Sequence, residues 1–141
     1  MAKLSNQLLY YITENKKEFP LFREIVSCFL NTVSALTLQV TDLPEEDLLS
    51  HFQSSNAFIE DGLSKDGAVL VHCYRGRSRS ATVIVAYLMQ KHGYSADRAL
   101  SKVKAKRELI QPHESFLAQL KLYENMDFTL DPENLQYKMF K

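Results

Sequence analysis

Residues 68–80, Ala-Val-Leu-Val-His-Cys-Tyr-Arg-Gly-Arg-Ser-Arg-Ser, constrain this chain more than any other stretch. Ala68 to Val71 is a continuous apolar run, which reads as a strand buried on both faces. His72 to Arg77 reads as a loop. Ser78 to His92 reads as a helix, and its β-branched residues mark it as buried. A loop passing from a strand into a helix can turn successive backbone N–H groups inward to form an anion nest. The helix N-terminus adds unsatisfied donors and the positive end of its dipole. Gly76 lets the backbone approach an anion with no Cβ in the way. Arg79 supplies a planar guanidinium that can hold two phosphate oxygens at once. Cys73, in the same positive field, is expected to ionise below the value of about 8.5 for a free thiol. The segment Cys73, Tyr74, Arg75, Gly76, Arg77, Ser78 and Arg79 therefore reads as a phosphate cradle. Its thiolate stands in line for phosphoryl transfer. A cysteine at a strand end is often only a small hydrophobe, and a cysteine five residues short of an arginine is by itself a weak pattern. The apolar run before it, the glycine inside it and the helix after it favour the phosphate-cradling thiolate.

The rest of the chain supplies a scaffold for such a loop. Phe22, Ile25, Val26, Phe29, Leu30 and Val33 form a helical stripe. Leu36, Leu38 and Val40 alternate with Thr37 and Gln39 as in a half-buried strand. Asp42-Leu43-Pro44-Glu45-Glu46 reads as a helix start, with proline early and acids in the first turn; that helix would run through Leu48, Phe52, Ile59 and Leu63. Gly93 can close the helix that begins at Ser78. Ser95 can cap the next one, to about Arg107, and Pro112 opens another through Phe116, Leu120 and Tyr123. Residues 127–141 are polar with a few aromatics and no clear period. Strands alternating with helices predict an α/β domain with a largely parallel sheet. A length of 141 residues suits one domain. Lys plus Arg and Asp plus Glu both number 17, so the balanced charge carries no strong nucleic-acid or anionic-membrane signal. Two cysteines, Cys28 and Cys73, make neither a disulfide framework nor a zinc site, and they predict reduced intracellular thiols. The absence of a long apolar run or a secretory leader points to a cytoplasmic or nuclear location.

The motif His72-Cys73-x-x-Gly76-x-x-Arg79-Ser80, followed by an apolar helix, resembles the signature loop of cysteine-dependent protein tyrosine phosphatases. Ser80-Ala81-Thr82, then Ala86-Tyr87-Leu88-Met89, and Pro112-His-Glu-Ser-Phe116-Leu-Ala-Gln119-Leu120 downstream, are similar to the dual-specificity branch. Leu120 to Met126 and Tyr137-Lys-Met-Phe140 look most like the subgroup whose phosphatase domain precedes a zinc-binding domain, which this sequence lacks. The resemblance implies a central, mostly parallel sheet flanked by helices. Residues 1–35 form an N-terminal segment unlike the family pattern, residues 36–126 the catalytic core and residues 127–141 a tail. It implies hydrolysis of phosphotyrosine and phosphoserine or phosphothreonine in proteins through a phosphocysteine intermediate, with neither metal nor other cofactor. It also implies a general acid upstream of the signature loop, where Asp42 stands; a helix cap is the competing role for Asp42. Ser80 would bond the Cys73 sulfur and make it a better leaving group. His72 would brace the loop and help keep Cys73 ionised, or serve as a backbone-bonded core histidine.

Arg75 and Arg77 make the loop unusually basic. They suit a polyanionic substrate such as a phosphoinositide or 5′-phosphorylated RNA, or they are solvated side chains on the outer rim. Glu45 and Glu46 read as surface acids that complement a helix dipole. Arg98, Lys102 and Lys106, within a basic run, form a solvated face or a docking site for an acidic partner. A scaffold that fails to place Asp42 would leave a phosphate-binding module rather than an enzyme. A rhodanese-like sulfur transferase fits the Arg79-Ser80 ending poorly.

Overall fold

The computed structural model describes residues 36–64 and 69–141. A short 3₁₀ turn, Leu49–His51, leads into α1, Phe52–Ser64. Then come α2, Arg79–His92, α3, Ala96–Lys106, α4, Glu114–Asn125, and α5, Leu135–Phe140. The element at the centre is α2, against which α1, α3 and α4 all pack. Its sequence explains that position. Ala81, Ile84, Val85, Ala86 and Met89 are fully buried, and Val83 and Tyr87 nearly so. A helix apolar on most of its circumference has to be enclosed. Phe52 of α1 meets Tyr123 of α4 edge to face, with ring centroids 5.1 Å apart. Phe116 and Leu120 of α4 and Val103 of α3 complete the core. Fully burying one such side chain is worth about 1.5–3 kcal/mol.

Three helix ends are closed by residues adjacent in the chain. Gly93 adopts φ +66° at the end of α2, a left-handed conformation open to glycine at little steric cost. The Ser95 hydroxyl accepts the Arg98 N–H and starts α3. His113 caps α4 with its ring, Nδ1 accepting the Ser115 N–H at 3.2 Å.

The structure departs from the sequence expectations in three places. No strand is present among the described residues. Residues 36–40 keep the expected alternation, with Leu38 and Val40 half-buried and Thr37 and Gln39 exposed, but they form no ladder. Of the second expected strand, Ala68 lies outside the described residues; among residues 69–71, Leu70 makes an isolated bridge and is exposed, so its face is not covered. Apolar patterning reports burial, whereas a strand also needs a neighbour's hydrogen bonds. The expected helix start at Asp42 to Glu46 is a turn, and regular helix begins only at Phe52. Long-range bonds to the backbone of Glu46, Leu48 and Leu49 hold that entry open. The tail is not featureless: Tyr137 of α5 joins the core, and Lys141 bonds Asp47 at 2.6 Å. The stripe from Phe22 to Val33, Cys28 and the 1–35 segment lie outside the described residues. No helix among the described residues is long and apolar enough to cross a membrane.

Candidate active site

The loop from Val71 to Ser78 carries the site. At Gly76 the chain turns through φ +63°, and the residue is buried. A side chain at this point would be strained by the backbone conformation itself. The turn brings the Gly76 N–H to 3.2 Å from the Cys73 sulfur. The Ser80 hydroxyl lies 3.3 Å from the same sulfur. Burial pushes the Cys73 thiol up, but the opposing influences win. The Ser80 hydroxyl and N–H, the Gly76 N–H and the Arg79 charge together hold it below the ordinary thiol range. This arrangement stabilises a thiolate at the N-terminus of α2.

The first turn of α2 is free to act in this way because Ser78 is occupied elsewhere. Its hydroxyl makes no cap on its own helix. It accepts the His113 N–H at 3.0 Å. The Gln111 N–H donates to the Arg77 carbonyl at 2.7 Å. Arg77 Nε donates to the Leu109 carbonyl at 3.2 Å, and its Nη2 to Gln111 Oε1 at 3.4 Å. Segment 109–113 therefore backs the loop, and Arg77 is one of its braces. Arg75 and Tyr74 are exposed.

Arg79 Nη1 donates to the Val40 carbonyl at 3.0 Å, which ties the signature loop to the chain just before Asp42. Arg79 Nε is buried and has no hydrogen-bond partner among the described residues. Asp42 is exposed and lines an open cavity of about 240 Å³ together with Ser78, Gln111, Pro112, His113 and Glu114. The structure thus sets Asp42 beside the signature loop at Ser78 and gathers Cys73, Arg79 and Ser80 within that loop. His72 is exposed, and the bonds to the sulfur come from Ser80 and Gly76. Arg98 and Lys102 both lie over the Tyr94 ring, 4.3 and 5.3 Å from its centroid.

Sequence reasoning missed Val40, which contributes only a carbonyl and so leaves no side-chain signal. Glu46 is a surface acid as expected, but its partner is Thr41 rather than a helix dipole. Its carboxylate accepts the Thr41 N–H at 2.8 Å and the Thr41 hydroxyl, closing the turn that carries Asp42.

Because Ser80 is the first of the groups that lower the thiol, Ser80→Ala is expected to move its ionisation upward. Iodoacetate labelling of Cys73 against pH should show a midpoint below about 8.5 in the wild type and a higher one in the variant. A wild-type midpoint at the free-thiol value would refute the activated loop.

Three comparisons bear on the family. The model of the dual specificity phosphatase catalytic domain matches residues 5–126. The dual specificity protein phosphatase MPK-4 of Drosophila melanogaster is 41% identical over 104 residues, 74% of this chain and 27% of that protein. The tyrosine-protein phosphatase yvh1 of Schizosaccharomyces pombe is 39% identical over 105 residues, 74% of this chain and 32% of that protein. The chain thus spans about a quarter to a third of these relatives. The crystal structure of human DUSP28 superposes with a TM-score of 0.65 at 41% identity, covering 67% of this chain and 66% of that one. With the family model matched from residue 5 to residue 126 around the Cys73–Arg79 loop, this chain belongs to the dual specificity phosphatase catalytic-domain family.

Proposed function

We propose that the chain is a protein phosphatase that hydrolyses phosphotyrosine and phosphoserine or phosphothreonine through a phosphocysteine intermediate. The observation that carries this reading is the Cys73 sulfur, held by Ser80 and the Gly76 N–H at the start of α2. The substrate phosphate would sit on the loop N–H groups from Tyr74 to Arg79. The Arg79 guanidinium, with its buried Nε unbonded among the described residues, would grip two of its oxygens. Cys73 Sγ attacks phosphorus, the bond to the substrate oxygen breaks, and Asp42 gives that oxygen its proton. Water then attacks the phosphocysteine and passes a proton to the Asp42 carboxylate, and the S–P bond breaks. The Ser80 hydroxyl stabilises the returning thiolate. His72, next in the chain to Cys73, is assigned to bracing the loop.

Arg77 is turned to Leu109 and Gln111, away from use as an extra anion grip. That favours a protein substrate over a polyanionic lipid or RNA. An acidic partner segment would dock on the face of α3 that carries Arg98, Lys102 and Lys106.

The test is rapid acid quench of purified protein with ³²P-labelled phosphotyrosine and phosphothreonine peptides. Label on Cys73 and release of inorganic phosphate from both are expected. Binding of the peptides without label or release would leave only the phosphate-binding module.

A further inference from the structure

Gln119 is buried in α4, 3% exposed, and its amide is spent on a distant piece of backbone. The Leu48 and Leu49 N–H groups donate to its Oε1 at 3.0 and 2.8 Å. Its Nε2 donates to the Glu46 carbonyl at 2.8 Å. These contacts span 70–73 positions of sequence. Such a side chain satisfies backbone groups that a helix start would otherwise leave open.

The same backbone leads directly to Asp42. Glu46, held by its carbonyl, uses its carboxylate to take both the N–H and the hydroxyl of Thr41. The turn from Thr41 to Glu46 is therefore closed at its two ends, and Asp42 is the residue following the first of them. On the other side, the Val40 carbonyl is fixed by Arg79. Asp42 itself is exposed, so its own burial cannot hold it in place.

We propose that Gln119 is a positioning residue for Asp42, acting through the Glu46 backbone and the Glu46–Thr41 closure to hold the acid turn against the signature loop. This rests on the reading of Asp42 as the general acid. A buried amide that makes three bonds to one segment fixes that segment more sharply than apolar packing can. Proton transfer demands that the donor lie within hydrogen-bond reach of the leaving oxygen. A displacement of about 1 Å can cost on the order of 10²-fold in rate.

The experiment compares wild type, Asp42→Asn, Gln119→Met, Glu46→Ala and the Asp42→Asn/Gln119→Met double variant. It measures kcat and kcat/KM against pH on a phosphotyrosine peptide and on p-nitrophenyl phosphate, whose leaving group needs little protonation. Gln119→Met keeps the volume and removes the three bonds. It is expected to lower kcat on the peptide by about 10²-fold, to affect p-nitrophenyl phosphate less, to weaken the alkaline limb and to leave tungstate affinity unchanged. In the Asp42→Asn background it should cost nothing further, because the acid it positions is gone. A merely structural Gln119 would lower both substrates alike and add to Asp42→Asn; either result overturns the proposal. If Asp42→Asn alone keeps the alkaline limb, the general-acid reading has failed and the positioning role falls with it. Should Gln119→Met fail to fold, Glu46→Ala decides. A peptide-selective loss supports the relay, and wild-type behaviour on both substrates overturns it.

Discussion

Replacement of Cys73 by serine is expected to abolish turnover and to leave oxyanion binding intact. A serine hydroxyl does not ionise near neutral pH, and the described groups bonded to the Cys73 sulfur, the Ser80 hydroxyl and the Gly76 N–H, are not bases. The bonds that favour the thiolate from Ser80 and Gly76 then have no charge to stabilise. The groups proposed to bind the anion are not altered: the left-handed turn at Gly76, the uncapped first turn of α2, and Arg79 anchored on Val40. The two results are read separately, hydrolysis of p-nitrophenyl phosphate for the nucleophile and tungstate affinity by calorimetry for the cradle. Turnover above background in Cys73→Ser would remove the nucleophile assignment. Loss of tungstate binding together with turnover would mean that the substitution had collapsed the loop.

Replacement of Asp42 by asparagine should slow phosphotyrosine hydrolysis by about 10²–10⁴-fold, the usual contribution of a positioned proton donor. The pH profile carries the sign. Attack needs Cys73 ionised, and its thiol is held below the ordinary range, so this requirement sets an acid limb displaced to low pH. Substrate ionisation, with a second phosphate pKa of about 6, adds to the same limb. If Asp42 is the general acid, departure of the tyrosine oxygen is expected to depend on its proton, and Asp42→Asn tests whether that dependence produces the alkaline limb. Wild-type kcat/KM is therefore expected to be bell-shaped. The variant should keep the acid limb, lose the alkaline one, and suffer less on p-nitrophenyl phosphate than on the peptide. An alkaline limb that survives in Asp42→Asn would hand the role to another acid. Glu46 is poorly suited, because Thr41 holds its carboxyl below the usual carboxylate range and so keeps it ionised.

The parts of this protein that were legible in its sequence are those made by groups close together in the chain. The signature loop is a local object. Its glycine, hydroxyls, arginine and following helix fall within eight residues of Cys73, so spacing alone sufficed to gather them in one loop. The left-handed end of α2 at Gly93 and the cap of α3 at Ser95 are local for the same reason. The burial of α2 followed from its own apolar residues. Tertiary structure decided everything that depends on partners far away in sequence. Whether residues 36–40 and 69–71 join a ladder depends on neighbours, and apolar alternation is the same with or without them. The helix entry at Asp42 was misread because its backbone N–H and carbonyl groups are met by Gln119, a residue of another helix. No local pattern marks that bond, whose length is set only by how α4 packs against the 3₁₀ turn. The same holds for Arg79 on the Val40 carbonyl and Arg77 on Leu109. Sequence determined which groups could do chemistry. Packing between distant segments decided how the turn carrying Asp42 is held beside them, since a side chain's hydrogen-bonding capacity is intrinsic but its partner is a property of the fold.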